Sequence, residues 1–321
     1  MREFIRYLEE EQPRIEAFLE QQAQALDPVV LPTVRHAILA GGKRLRPLLT
    51  LLTARALGHT NDSVYPLACS VEMLHCATLL HDDIVDRAEL RRGRPAAHTL
   101  FGQAPTVLAG DVLLALANRL VAEYNMPRLT VCLAEALMYT ATGEIHGMAR
   151  LRDPDVAEEE YLKIVTGKTA RLIQAAGRCG AILAGADAVL EQAADEFALN
   201  MGIAYQLVDD ALDYAPSEAT GKPSGGDLRE GKPTIPLILY LRSLDGQSRE
   251  IIARQIKDNA LTEEGLDALA LEIRQGGFDK LAREAANPYL VKSETALAAF
   301  PQCEEKIILS QALAYVRDRK K

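Results

Sequence analysis

Residues 75–86 read HCATLLHDDIVD, an apolar stretch that closes on two adjacent aspartates, Asp82 and Asp83, and then Asp86. The apolar positions follow helical spacing. On a helix, residues four apart share a face, so Asp82 meets Asp86. The pattern recurs at the end of a second apolar stretch, Asp209-Asp210-Ala211-Leu212-Asp213, where Asp209 meets Asp213. Like charges at this spacing cost roughly 0.2–0.5 kcal/mol per pair. A chain that carries the penalty twice beside apolar surface calls for a compensating cation. Hard oxygen donors without a cysteine or histidine cage suit magnesium (Mg2+), which binds one or two carboxylates together with substrate phosphates. A solvated acidic helix face is the plain alternative.

Working outward, the helical period continues through nearly the whole of the 321 residues, and alternating strand patterns are missing. Hydrophobic residues make up 48% of the chain and charged residues 25%, while aromatics are only 5% and tryptophan is absent, a balance that favours helices over sheets. Breakers at Gly41-Gly42, Gly58, residues 92–95, Pro127, Asp153-Pro154, Gly276-Gly277 and Pro288 divide the helical segments. The longest break runs from Pro216 to Pro233, directly after the second acidic motif. A long loop in that place is more often functional than incidental. With no linker composition or charge block, the expectation is a single all-α domain over residues 1–321.

The net charge of -9 speaks against nucleic acid as a general partner. Cys69, Cys76, Cys132, Cys179 and Cys303 form no CxxC pair and read as buried thiols of a reducing compartment. The charged, amphipathic first twenty residues lack a signal-peptide core, and no uninterrupted apolar run reaches the length of a membrane span. A cytoplasmic location is expected.

Three basic groups complement the acidic ones. Lys43 and Arg46 lie in GGKRLRP (41–47), three apart, so a helical turn starting there would put both on one side. Arg91-Arg92 follows the first acidic motif, and Lys222 and Lys232 lie in the long loop after the second. Arginines offer paired donors matched to phosphate oxygens, and lysines add point charges. Together they look like clamps for two polyanionic groups. His75 lies on nearly the same stripe as Asp82, two turns down, where a core role is the bland reading. Thr78 shares that stripe and Ala77 adjoins it; both are small, which either leaves room for an apolar tail or serves close helix packing. Gln206, three residues before Asp209, shares its face, and Lys168-Thr169 interrupts an apolar helical stretch, an odd place for a lysine without a partner.

Taken in order, GGKRLRP (41–47), LLHDDIVDRAELRRG (79–93), GKTARL (167–172), YQLVDDALDY (205–214) and GKPSGGDLREGKPTIP (221–236) resemble the trans-prenyl diphosphate synthases of the polyprenyl synthetase family, and the tail ALAYVRDRK (312–320) is similar too. The resemblance implies a helical bundle around a central substrate cavity, the isoprenoid synthase fold. It implies condensation of isopentenyl diphosphate with an allylic prenyl diphosphate. Asp82, Asp86 and Asp209 would bind magnesium on the allylic diphosphate, with Asp83, Asp210 and Asp213 completing the acidic walls. Arg91, Lys168, Lys222 and Lys232 would contact that diphosphate, and Lys43, Arg46, His75 and Arg92 would hold the isopentenyl diphosphate. Thr169 and Gln206 would face the developing carbocation, and the released diphosphate would take the proton. A homodimer is implied as well, and the apolar tail of a long product would favour transient membrane contact at release.

Short-chain members carry a bulky aromatic where Thr78 and Ala77 stand here, and the segment HCATLLHDDIVD is similar to long-chain enzymes that supply quinone side chains. A geranylgeranyl or farnesyl product is the alternative. The chain departs from the family at residues 143–148, GEIHGM, where many relatives read GEVLQL. Other classes fit less well. An HD-type phosphohydrolase could use His36, His81 and Asp82 but leaves the second acidic motif unexplained. A non-catalytic subunit of a heteromeric synthase would lose one acidic motif, and a class I terpene cyclase would replace the second.

Overall fold

The computed structural model describes residues 1–216 and 224–319. Among the described residues the chain is all-α, as expected, apart from one small hairpin. Two compact units emerge: the first comprises Met1–Met138, Leu172–Ala198 and Ala296–Ala312, the second Tyr139–Arg171, Leu199–Thr295 and Leu313–Lys321.

The first unit is built around α4 (Val64–Val85). Leu67, Val71, Met73, Leu74, Ala77 and Leu80 are all buried on it, and a helix that is apolar on most sides belongs in a core. Against it lie α1 (Arg2–Gln24), α2 (Leu31–Ile38), α3 (Leu45–Ala56), α5 (Ala97–Phe101) and α6 (Gln103–Ala122). Each fully buried Leu or Met adds about 1.5–3 kcal/mol of apolar burial. One polar knot crosses this core: Arg55 donates to Glu11 at 2.6 Å and to the Tyr7 hydroxyl at 2.6 Å, and Tyr65 donates to the same Glu11 carboxylate. The unit also receives the first part of α7 (Pro127–Ala149), most of α9 (Arg171–Leu183) and the start of α10 (Ala188–Asp213). Pro127 stands at the first position of α7, where the missing N–H is no loss. Of the described residues, those of α6 alone are long and apolar enough to cross a membrane, by length and composition.

The second unit contains α8 (Glu158–Val165), a π-helical turn (Thr166–Ala170), the end of α10, and α11 (Gly226–Glu230), α12 (Ile235–Ser243), α13 (Gly246–Lys257), α14 (Glu263–Gln275) and α15 (Phe278–Glu284). Most of α16 (Asn287–Leu297) and the end of α17 (Glu304–Arg317) complete it. Tyr214, Leu228, Leu237, Tyr240, Leu241, Leu269 and Ile273 form its core. Side-chain caps fix two helix starts: Asp245 accepts from the Gln247 and Ser248 amides at 3.0 Å, and Thr262 from Gly265.

Three local expectations are corrected. Lys43 does not share a helical turn with Arg46, because α3 begins only at Leu45 and Arg44 before it sits in the left-handed region at φ 49°. The side chain of Arg44 explains the kink: it is fully buried and bridges Glu72 at 2.8 Å. Residues 90–95 are a miniature antiparallel hairpin, Leu90–Arg91 against Arg94–Pro95, rather than a plain break. The long loop after α10 carries a helix, α11, within it.

Candidate active site

In the first unit, α4 delivers the first acidic motif. The Asp86 amide still donates to the Asp82 carbonyl at 2.7 Å, so the two carboxylates lie one turn apart on the same face, as the spacing requires. Both are part-buried, whereas Asp83 is 2% exposed and turned elsewhere. Arg91, on the first strand of the hairpin, donates to Asp83 through Nε at 2.7 Å and also through Nη2. Asp83, the second aspartate of the motif, therefore locks the hairpin to the helix.

The hairpin in turn holds the glycine loop. Arg92, at φ 53°, donates to the Gly41 carbonyl. Gly42 lies under the same guanidinium at φ +133°, and a Cβ there would meet Arg92 Nη1 at 2.6 Å. Only glycine fits this approach. The result is a cationic group around His75. Burial first, and then the charges of Arg46, Arg92, Arg91 and Arg44, hold that imidazole well below its usual pKa, so it is neutral at physiological pH. Arg44 is spent on Glu72 and Arg91 on Asp83. Lys43 and Arg46 are half-buried in the same loop and helix start.

One turn below the aspartates, Ala77 is fully buried, and Thr78 is part-buried with its hydroxyl donating to the His75 carbonyl at 2.9 Å. The two imidazoles that a phosphohydrolase would need are used on the backbone: His36 meets the Pro95 carbonyl at 2.9 Å and His81 the Val107 carbonyl at 3.1 Å.

In the second unit, α10 delivers the second motif, and its three carboxylates have different surroundings. Asp210 is 3% exposed and accepts from the Tyr161 hydroxyl at 2.5 Å and the Gln206 amide at 2.6 Å. Burial pushes its carboxyl up to about 7, with the charges of Asp209 and Asp213 adding to the rise. Asp213 accepts from the Gly226 and Asp227 amides at 3.1 and 3.0 Å and so caps α11. Burial also raises it. Asp209 is half-exposed, and Arg319 donates to it at 2.9 Å.

The helical-face argument put Gln206 with Asp209; the structure brings it to Asp210, four residues on. Its carbonyl accepts from the Thr169 hydroxyl at 2.9 Å, so Thr169, Gln206, Asp210 and Tyr161 form one hydrogen-bonded line. Thr169 and Lys168 lie on the π-helical turn, a feature frequent at functional sites. Lys168 has its partner after all: Glu144 on α7, with Nζ–O distances of 2.8 and 2.6 Å. Lys232 pairs with Glu230, and Lys222 lies outside the described residues.

Several residues escaped the sequence reading. Tyr161, Glu144 and Arg319 reach the motifs from distant segments; Arg319 lay within the quoted tail, but no local spacing announces what any of the three bonds to. Asp227 was within the quoted loop sequence; it is part-buried beside Asp213 and Asp210, and desolvation and those two charges push it well above the usual carboxylate range. Five acidic groups, counting Glu230, thus crowd one end of the unit with Lys232 among them. Among the described residues no three His, Cys, Asp or Glu side chains gather closely enough to hold a metal alone. The donors at hand are all carboxylate oxygens, and crowding of this kind is relieved by a hard divalent cation. They fit Mg2+, whose shell is shared with water and phosphate.

Residues 27–272 match the polyprenyl synthetase family. The chain belongs to that family. An octaprenyl diphosphate synthase of Haemophilus influenzae is 37% identical over 282 residues, which cover 88% of this chain and 85% of the relative. Among solved structures, the polyprenyl synthase from Caulobacter crescentus, crystallised with calcium and isoprenyl diphosphate, superposes with a TM-score of 0.92 at 36% identity, covering 99% of this chain and 97% of that one. A decaprenyl diphosphate synthase from Rhodobacter capsulatus superposes equally well, with a TM-score of 0.92 at 34% identity over 99% of each chain. Polyprenyl synthetases transfer prenyl groups, and the activity class of this chain is that of a prenyltransferase.

Proposed function

We propose that the chain condenses isopentenyl diphosphate with an allylic prenyl diphosphate, repeatedly, to a long-chain polyprenyl diphosphate of the kind used for quinone side chains. The observation that carries this reading is the cationic pair of Arg46 and Arg92 beside a neutral His75, next to the first acidic motif. Such a group wants a polyanion, and the carboxylates want a divalent cation. Diphosphate with magnesium satisfies both.

In this reading Asp82, Asp86 and Asp209 hold Mg2+ on the allylic diphosphate, and Arg91, Lys168, Lys222 and Lys232 contact the same group. Bound magnesium supplies positive charge where the departing diphosphate gathers negative charge. Lys43, Arg46, His75 and Arg92 hold the isopentenyl diphosphate. Neutral His75 contributes an uncharged donor among guanidiniums, so it fixes orientation without adding to their mutual repulsion. The Thr169–Gln206–Asp210–Tyr161 line fixes the Gln206 amide, its carbonyl toward Thr169 and its NH2 toward Asp210. That sets a preorganised pair of oxygens for a developing carbocation. Asp83 and Asp213 act through geometry, by fixing the hairpin and α11. The pocket must also exclude water, which would quench the cation.

The chain works in this reading as one catalytic domain over residues 1–321, as a cytoplasmic homodimer. The apolar product tail is handed to a membrane. Ala77 and Thr78 set product length. Incubation of the purified chain with labelled isopentenyl diphosphate, farnesyl diphosphate and Mg2+ tests the reading. Products of forty carbons or more (roughly eight isoprene units) are expected by chromatography. Products stopping at geranylgeranyl length would establish the short-chain alternative, and no incorporation would refute the enzyme altogether.

A further inference from the structure

Asp209 differs from its two neighbours in what holds it. Asp210 is tied to Tyr161 and Gln206, and Asp213 to the amides of α11; both sets of bonds belong to the frame. The partner of Asp209 is a cation. Arg319, which follows α17, donates from Nη2 to Asp209 Oδ1 at 2.9 Å. Its guanidinium also lies over the Tyr205 ring, 4.1 Å from the centroid, one helical turn before Asp209. The backbone that presents it is pinned by Arg283, which donates to the Arg317 carbonyl at 3.1 Å and the Arg319 carbonyl at 2.7 Å. The arginine side chain is 5% exposed while the carboxylate is 47% exposed. Arg319 therefore approaches from the protein side and uses one carboxylate oxygen, leaving the aspartate open toward solvent.

We propose that Arg319 is the resident cation of Asp209 and exchanges with an incoming divalent ion, so that metal binding at the second motif is set by displacement of this guanidinium. The proposal rests on the reading of Asp209 as a metal ligand. Three features make an exchange device of the contact rather than a structural lock. A single-oxygen pair on a half-exposed carboxylate is weak enough to break. The Tyr205 ring offers the guanidinium a place that does not depend on the carboxylate. The pinned backbone lets the side chain swing while the chain stays put. With Arg319 on it, the charge of Asp209 has a cationic partner when no metal is present.

Calorimetric titration with Mn2+ in the presence of inorganic diphosphate tests this on four proteins. In Arg319→Gln the competitor is gone, and the dissociation constant is expected to fall about five-fold, the size of one part-exposed ion pair. Arg317→Gln removes a nearby charge that pairs with Asp318 and is 55% exposed. It should change affinity less than two-fold. Asp209→Asn should weaken binding at least ten-fold. Unchanged or weaker binding in Arg319→Gln, or an equal gain in Arg317→Gln, would overturn the exchange while leaving the metal reading intact. Wild-type binding that Asp209→Asn does not weaken would sink the metal reading at this residue, and the exchange with it. As a second readout, the Arg319 Nε–H resonance, assigned by its loss in Arg319→Lys, should move when Mg2+ and diphosphate are added. In Asp209→Asn it should start near the metal-loaded position.

Discussion

Lys168 Nζ lies 2.8 Å from one Glu144 oxygen and 2.6 Å from the other, joining the π-helical turn to α7. The lysine is one-third exposed and the glutamate less so, which makes the carboxylate the fixed partner. A charge-assisted pair of this kind contributes about 1.5–3 kcal/mol when its geometry is kept. Glu144→Ala leaves Lys168 free to wander from the place where the allylic diphosphate is expected. Turnover should fall about ten- to a hundred-fold with the fold intact, measured as kcat beside a circular dichroism spectrum. Glu144→Asp should recover part of the loss.

Gly42 is the tightest point of the basic loop. Alanine there must displace the Arg92 guanidinium and adopt φ +133°, a region closed to side chains. Gly42→Ala should raise the KM for isopentenyl diphosphate at least ten-fold and leave that for the allylic substrate nearly unchanged. Initial-rate kinetics with each substrate varied in turn would show whether the effect is confined to one diphosphate.

Product length is expected to respond to residues 77 and 78, but at different cost. Ala77 is fully buried, so Ala77→Phe must push neighbours aside, at about 1–3 kcal/mol or more. Thr78 is part-buried, so Thr78→Phe should shorten the product with a smaller drop in Tm. Reversed-phase chromatography and thermal melts on both variants check this. An unchanged product distribution in both would remove these residues from length control.

The depressed pKa of His75 has a stability signature. In the unfolded chain the imidazole takes up a proton near its ordinary value of 6.5, while in the folded chain burial and Arg46, Arg92, Arg91 and Arg44 oppose that proton. The unfolded state therefore binds more protons below pH 6.5, and stability falls as pH drops. The loss should be about 1.4 kcal/mol for each pH unit until the folded group titrates. His75→Gln should flatten this slope between pH 6.5 and 5.5, read by urea denaturation.

Much of this was legible in the chain because the decisive contacts are local. The face shared by Asp82 and Asp86 follows from helix geometry alone, and the structure keeps it to the last turn of α4. Helical periodicity also sufficed for the fold class. Lys43 was misplaced because Arg44, which spacing treats as another surface cation, is buried on Glu72 and turns the backbone left-handed. Tyr161, Glu144 and Arg319 lie 49, 24 and 110 residues from their partners Asp210, Lys168 and Asp209, and a spacing argument reaches about two helical turns. Spacing places Gln206 on a face with Asp209, but three- and four-residue offsets share a face, and the amide bonds Asp210, which also accepts from Tyr161.

At Gly143 and Gly167, α7 and the π-helical turn touch through main chain. A Cβ on Gly143 would meet the Gly167 carbonyl carbon at 2.7 Å and the Lys168 amide, and one on Gly167 would meet the Gly143 Cα at 2.9 Å. Lys168 and Thr169 are thus aimed by two backbones in van der Waals contact, with no intervening side chain whose size could drift. Mutation can change the size of apolar side chains elsewhere in the chain while this junction keeps its shape. The aim of Lys168 and Thr169 is thereby insulated from side-chain exchange in the rest of the core.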